Sequence, residues 1–390
     1  MAKSGNAASE LYSDIDVFLE AGIPILLTGP PGVGKTGYIH DLRKRKIQGK
    51  PVSVISMIAS NRESTDVGGY PAPGQIKLST GDSVDVVRFL PIDWSVQAKD
   101  QLENQGMFTI VFIDEYRDIT PPVLAALNKC VHENKVGDFD MPAEVRWIAA
   151  ANSIEDSTVG VALPLPTANR WAHLPWDIHK MVGSWCEGMI GNAFALQSPL
   201  SGSALERLGR ERALVASFIH KRQELIHVVP KSEDEKDGPW PSPRTLDYTA
   251  HVWAAAGEGN REQRLRLAAA CIGHYAAAEF IAWEKSMNLP DPEDVLSGKV
   301  KKIVVNDRPD VTYATLSSVV SVVVGKWTKE RYIQAWKCMA RTADDGAGDI
   351  AAALVPALEN TTDGRSGVPD PSEHLKSLLP ILARAGVQLR

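Results

Sequence analysis

Residues 29–36 read Gly29-Pro30-Pro31-Gly32-Val33-Gly34-Lys35-Thr36, a complete GxxxxGK[ST] run. The apolar segment Ile23-Pro24-Ile25-Leu26-Leu27 precedes it and a helix-compatible stretch follows. Glycines let the backbone curl so that successive N–H groups converge on one anion, and the positive end of the next helix adds to the attraction. In such a loop Lys35 reaches the β- and γ-phosphates of a nucleotide and the Thr36 hydroxyl holds Mg²⁺. A glycine-rich turn without phosphate chemistry would not need the strand before it, the helix after it and the Lys-Thr pair together.

The 390 residues, 44% hydrophobic and 23% charged, suffice for two domains and an appendage with ordinary cores. The N-terminal Met-Ala-Lys-Ser-Gly-Asn lacks the charged-then-apolar layout of a signal peptide. Apolar stretches such as 319–324 are far too short to span a bilayer. A cytoplasmic chain with no membrane segment is therefore expected. Cys130, Cys186, Cys271 and Cys338 lie far apart with no CxxC pair, which fits reduced, buried thiols. The formal net charge of −6 argues against a strongly basic nucleic-acid surface. The one basic run, Arg43-Lys44-Arg45-Lys46, falls where the helix after the phosphate loop should end, and cations suit the negative end of a helix.

The alternation of patterns sets the fold class. A short helix is expected over 11–21, a strand over 52–57 and a continuous apolar strand over 107–113 ending in Asp114-Glu115. A further strand is expected over 145–151 ending in Asn152, and a last, Pro-punctuated one over 171–176. Between them, the Pro- and Gly-punctuated alternation of 75–89 suggests an exposed β-hairpin projecting from a loop. Strands alternating with helices imply a parallel α/β sheet with its ligand at the carboxyl ends of the strands, where Lys35/Thr36, Asp114/Glu115 and Asn152 would meet. After about residue 178 helical patterns take over: 205–227, 245–256, 261–288 and 311–343 with breaks. Residues 231–238 read as a solvated charged loop and 360–372 as a linker to a final helix over 373–385. The expected division is 1–178, a nucleotide-binding α/β domain; 179–300, a helical domain; and 301–390, a helical extension.

Within this frame Asp114 can hold Mg²⁺ through water, and Glu115 is placed to polarise a water for attack on the γ-phosphate; a strand-end turn is the plainer reading of the pair taken alone. Asn152 can orient that water, or simply serve turn chemistry. Arg170 sits where a helix ends before the last strand, either as an arginine offered to a neighbouring subunit's γ-phosphate or as a helix-end cation. Arg244 opens a helix in the second domain, where a cation opposes the helix dipole and so hints at an anion. Trp327, Tyr332 and Trp336 fit one helical face and read as core packing, whereas Tyr70 and Trp94 flank the hairpin and could face a pore.

The order of these motifs resembles the AAA+ ATPases, and within them the MoxR-like branch, over roughly residues 10–290. Gly29 to Thr36 match Walker A, Ile110 to Glu115 Walker B, Ala150-Ala151-Asn152 sensor 1, Asn169-Arg170-Trp171 the arginine-finger segment and Ser242-Pro243-Arg244 sensor 2. Ser64 to Gly69 look like the start of that branch's helix-2 insertion, and Val136 to Phe139 like its hairpin before sensor 1. Asn169 and Trp171 stand where the family has Asp and Phe around the finger. The resemblance implies a P-loop NTPase core with a small helical lid and a helical C-terminal extension. It also implies ATP and Mg²⁺ as ligands, with Gly29, Pro30, Pro31, Gly32, Val33, Gly34, Lys35, Thr36 and Gly37 around the nucleotide and Thr36 and Asp114 at the metal. Glu115, Asn152, Arg170 and Arg244 would act in hydrolysis. It further implies a ring, commonly a hexamer, acting as a chaperone on a protein client, often with a von Willebrand factor A partner. A nucleic-acid motor of a restriction or defence system shares the same motifs and is the alternative; the acidic balance favours the chaperone.

Overall fold

The computed structural model describes residues 4–153, 162–191, 198–230, 237–257, 259–362 and 365–385. The chain divides into two compact units, Ser9–Asp177 and, together with Met1–Ala8, Ile178–Arg390.

The first unit is built on a six-stranded sheet. Its elements are helix α1 (Ser4–Ala21, which begins before the unit), β1 (Ile25–Thr28), α2 (Lys35–Asp41), β2 (Lys46–Ile47), β3 (Lys50–Ile58) and α3 (Thr65–Gly68). They continue with β4 (Tyr70–Lys77), β5 (Ser83–Leu90), α4 (Asp93–Glu103), β6 (Phe108–Asp114), α5 (Pro121–Glu133), β7 (Lys135–Val136), β8 (Phe139–Asp140), β9 (Arg146–Ala151), α6 (Leu165–Ala168) and β10 (Ala172–Pro175). The sheet runs β10-β1-β9-β6-β3-β2, parallel throughout except for the short β2. Phe108 to Ile113 of β6 are buried without a break, which is why that strand reads as a continuous apolar run instead of an alternating one.

On one side of the sheet Val111, Ile113 and Ala149 pack with Tyr116, Leu127, Trp147 and Trp171. Trp94 belongs to this core. It is 7% exposed, its ring meets Trp147 edge-on at 6.0 Å, and it does not line a pore. An indole buries too much apolar area to stand in solvent when the helix carrying it, α4, can turn it inward. Tyr70, by contrast, is exposed. The hairpin β4–β5 is antiparallel in the register Tyr70↔Leu90 to Lys77↔Ser83 and starts five residues earlier than the alternation suggested. The β7–β8 hairpin stands where expected.

The basic run is not a free patch. Arg43 donates to the Val54 carbonyl at 2.7 Å, Lys44 pairs with Asp41 and Arg45 with Asp16. Helix α2 ends at Asp41 and a 3₁₀ turn over Leu42–Lys44 follows it directly, so the run lies at the end of that helix, as expected.

The second unit is helical: Val182–Gly191, Gly202–Lys221, Pro243–Ala256, Arg261–Ile272, His274–Ser286, Pro292–Leu296, Pro309–Gly325, Lys329–Thr342, Gly348–Asn360 and Leu379–Ala385. The single helix expected over 261–288 is two, broken at Gly273, whose φ of +78° favours glycine and where an added Cβ would lie 2.8 Å from the Pro239 carbonyl oxygen. The last helix starts at Leu379, not 373, because Pro380 is tolerated only in a first turn. Tyr332 and Trp336 are core residues, meeting at 6.2 Å. No division falls near residue 300; the helices on either side of it belong to one compact unit. Most of the charged loop at 231–238 lies outside the described residues. All four cysteines carry free thiols.

Candidate nucleotide-binding site

The strand order explains the site. Because β1, β9 and β6 are consecutive in the sheet, their carboxyl ends are adjacent, and the loops leaving them must share one edge. The phosphate loop follows β1, Asn152 follows β9, and Asp114-Glu115 close β6.

Hydrogen bonds tie these loops together. The Gly29 N–H donates to the Ala151 carbonyl at 3.2 Å and the Tyr116 N–H to the Ala150 carbonyl at 2.9 Å. Lys35, only 7% exposed, donates from Nζ to the carbonyls of Gly29 (2.6 Å) and Pro30 (2.8 Å) and to Asn152 Oδ1 (3.4 Å). The Thr36 hydroxyl donates to Asp114 Oδ2 at 2.7 Å. A hydroxyl and a carboxylate held together at the head of α2 are the hard oxygen donors that Mg²⁺ takes, so the residues present fit that ion.

Two loop glycines answer to different constraints. Gly34 has φ +96° with nothing near its Cβ position, so it is the left-handed backbone that favours glycine there. Gly29 is held by space: a Cβ would lie 2.5 Å from the Trp176 carbonyl oxygen. Trp176 is itself fixed, its N–H donating to the Thr28 carbonyl at 2.7 Å and its indole N–H to the Val33 carbonyl at 3.2 Å. Its ring meets Tyr38, which stacks on Tyr12 with centroids 4.4 Å apart.

Glu115 has φ +58°, a left-handed conformation costly for a non-glycine residue. Its N–H donates to Asp114 Oδ1 at 3.0 Å, and its exposed carboxylate accepts from the Ser60 hydroxyl. Ser60 was not foreseen from the sequence. The signal lies in the register: β3 pairs with β6 so that Ile58 is opposite Asp114, which sets the residues just past Ile58 beside Glu115. Arg117 was also missed. It donates to the Asn152 carbonyl at 2.9 Å, and burial lowers its pKa. His40, on the outer turn of α2, shares a 2.9 Å hydrogen bond with Ser56, and burial, then Arg43, lower its pKa.

Gly29 to Thr36, Asp114, Glu115 and Asn152 are thus brought together. Gly37 lies in α2 just past them. Arg170 stands apart from this network, exposed in the turn after α6 and near enough to Tyr116 and His132 to act on both. Arg244 is the exposed second residue of helix Pro243–Ala256 in the other unit. That helix is capped by Ser242, whose hydroxyl accepts from the Thr245 N–H while Thr245 Oγ1 accepts from the Ser242 N–H, so its first turn does not depend on Arg244.

A parallel sheet with a phosphate loop after β1 and an acidic end on β6 defines a P-loop nucleoside-triphosphatase core, followed here by a helical unit. No protein-family model matches the chain, and no curated protein matches it. Solved structures similar to it include NtrX from Brucella abortus, 13% identical over 65% of this chain with a TM-score of 0.35. The alignment spans 52% of that NtrX chain, about half its length. NtrX from the same organism in complex with ADP is 13% identical over 90% of this chain and 68% of its own, TM-score 0.36. The Thermotoga maritima RuvB Holliday junction branch migration motor is 14% identical over 86% and 88%, TM-score 0.32.

Proposed function

We propose that this protein is an AAA+ ATPase of the MoxR-like kind that remodels, assembles or activates a partner protein. It would work as a ring, commonly hexameric, with ATP at subunit interfaces and a von Willebrand factor A protein among its partners. One observation carries the reading: the phosphate loop, the Thr36–Asp114 pair, Glu115 and Asn152 meet at three adjacent strand ends.

ATP enters with its phosphates in the loop 29–37, where the backbone N–H groups and Lys35 offset their charge. Thr36 and Asp114 would hold Mg²⁺, which would supply electrostatic stabilisation of charge on the phosphates. Glu115 accepts a proton from water as the water oxygen bonds to the γ-phosphorus and the bond to the β–γ bridging oxygen breaks, leaving ADP and phosphate. Ser60 aims the Glu115 carboxylate, and Lys35 with Arg117 fix Asn152 beside it. Arg170, exposed and outside this network, is suited to the γ-phosphate of a neighbouring subunit; Arg244 opens its helix toward an anion.

The test is ATP turnover with Mg²⁺ by the purified full chain and two variants. Lys35→Ala abolishes nucleotide binding, whereas Glu115→Gln binds ATP and turns it over at least about a hundred times more slowly. Equal turnover by Glu115→Gln and the parent removes Glu115 from the mechanism, and no turnover by the parent removes the ATPase reading.

A further inference from the structure

The β4–β5 hairpin is a two-stranded ribbon with two unlike edges. Its register opposes Pro71 to Phe89, and the N–H and carbonyl of Phe89 both point away from β4: the N–H donates to Asp138 Oδ2 (3.2 Å) and the carbonyl accepts from the Asp138 N–H (3.0 Å). The pair 71↔89 is therefore not hydrogen-bonded across the ribbon. Antiparallel ladders alternate, so 73↔87, 75↔85 and 77↔83 are of the same kind. The backbone groups of these residues face outward.

On the β4 edge two of the four outward positions are Pro71 and Pro73, which have no N–H to offer. On the β5 edge Asp138 covers Phe89, and Ser83, Asp85 and Val87 remain. Among the described residues their three N–H and three carbonyl groups have no partner. One edge is interrupted by prolines at two of its four outward positions, and the other is open over three consecutive alternate residues, which is the longer run for an added strand.

Charge selects the occupant. Asp85 is the middle of the three open positions and lies exposed, its carboxylate accepting from the Gln75 amide at 2.8 Å. A second copy of the chain paired through all three positions would set Asp85 directly against Asp85, a like-charge pair that destabilises a sheet. A strand with Lys or Arg at that position makes an opposite-charge pair instead. The residues on either side of it would fall on the face that carries Ile76, Val84 and Val86, and so would be apolar.

We propose that the outer edge of β5 binds an extended segment of a partner protein as a third strand, with the local pattern apolar-basic-apolar and the basic residue opposite Asp85. The partner's role as client rests on the proposed ATPase function; the strand addition itself does not.

The test uses the full chain and fluorescein-labelled ten-residue peptides, all Thr and Val around a central Lys or a central Glu. A third peptide carries the Lys and N-methyl groups on alternate amides. Anisotropy should show the Lys peptide binding roughly three-fold more tightly than the Glu peptide. N-methylation should cost on the order of ten-fold, with the protein itself unaltered. Asp85→Lys should invert the preference, and Val87→Pro, which removes one outward N–H and leaves the ladder to β4 intact, should weaken the Lys peptide while leaving basal ATP turnover unchanged. Bound Lys peptide should slow amide exchange at Ser83, Asp85 and Val87. Absence of binding up to about 1 mM peptide overturns the proposal. So does binding indifferent to N-methylation, or exchange protection that grows with protein concentration alone, which would make a second copy the occupant. A wild-type chain that binds the Lys peptide but turns over no ATP refutes only the function above.

Discussion

Gly29→Ala tests the geometry of the phosphate loop at its tightest point. The new methyl carbon would lie 2.5 Å from the Trp176 carbonyl oxygen and 3.0 Å from Trp176 Cβ. The first of these is backbone that cannot rotate away, because Trp176 is held by Thr28 and Val33. Something must shift, and overpacking of this kind costs roughly 1–3 kcal/mol. In a unit of this size that lowers the melting temperature by roughly 5 °C. The shift falls on the Gly29 and Pro30 carbonyls that hold the Lys35 ammonium. ATP affinity should therefore drop with stability, and the thermal shift given by saturating Mg²⁺-ATP in the parent should shrink or vanish. Gly37→Ala is the control for stability alone, read without nucleotide. Nothing lies within 4 Å of its Cβ position and it sits in α2, so alanine there leaves stability unchanged or raises it by about 0.5–1 kcal/mol. Differential scanning fluorimetry with and without nucleotide reads both. If Gly29→Ala melts with the parent and keeps its full nucleotide shift, the close approach of Trp176 to the loop is wrong.

Other outcomes follow from particular contacts. Arg170→Ala should lose turnover yet regain it in mixed rings with subunits that supply the arginine; if mixing never restores activity, Arg170 does not act across an interface. In the helical unit Arg212 and Asp247 form a buried two-bond pair, 2.7 and 3.1 Å, with side chains 4% and 6% exposed. Asp247→Ala removes the carboxylate that accepts both of these bonds from the buried guanidinium and should cost about 3–5 kcal/mol by urea unfolding, whereas Arg212→Met with Asp247→Leu should recover most of it. Burial pushes the Glu187 carboxyl up to about 7. A folded pKa above the unfolded value means that the native state binds the extra proton, so stability falls as pH rises from about 4.3 through 7. Glu187→Gln should match the parent at pH 4 and exceed it at pH 8 by about 1–3 kcal/mol; equal pH profiles would place Glu187 in water.

The legible parts of the fold were those in which one stretch of chain carries both the pattern and its consequence. The unbroken apolar run of β6 announces a strand buried on both faces, and the phosphate loop announces its own turn. Residues paired through the sheet were not legible. Ser60 reaches Glu115 only because β3 lies beside β6 in a register that no local pattern encodes. Trp94 was misplaced for a related reason: next to a hairpin an indole looks like a pore residue, and only the packing of α4 against Trp147 shows it to be core. The long helical pattern over 261–288 hid a break because alanine-rich sequence on both sides of Gly273 carries the helical signal straight through it. Boundaries between helical units leave no composition signal when the helices on either side bury similar faces, which is why nothing at residue 300 betrayed that the chain continues in the same unit.

The last two residues of β9 accept backbone hydrogen bonds from both flanks, Ala151 from Gly29 and Ala150 from Tyr116. One strand end is therefore the common latch of the 29–36 loop, proposed to grip phosphate, and the loop carrying Glu115, the proposed hydrolytic carboxylate. In the proposed ATPase the two jobs would be geared there, a displacement of that tip acting on grip and on turnover together. Substitutions at Ala150 and Ala151 will move affinity and rate together, and a screen for variants that separate the two will find them elsewhere in the sheet.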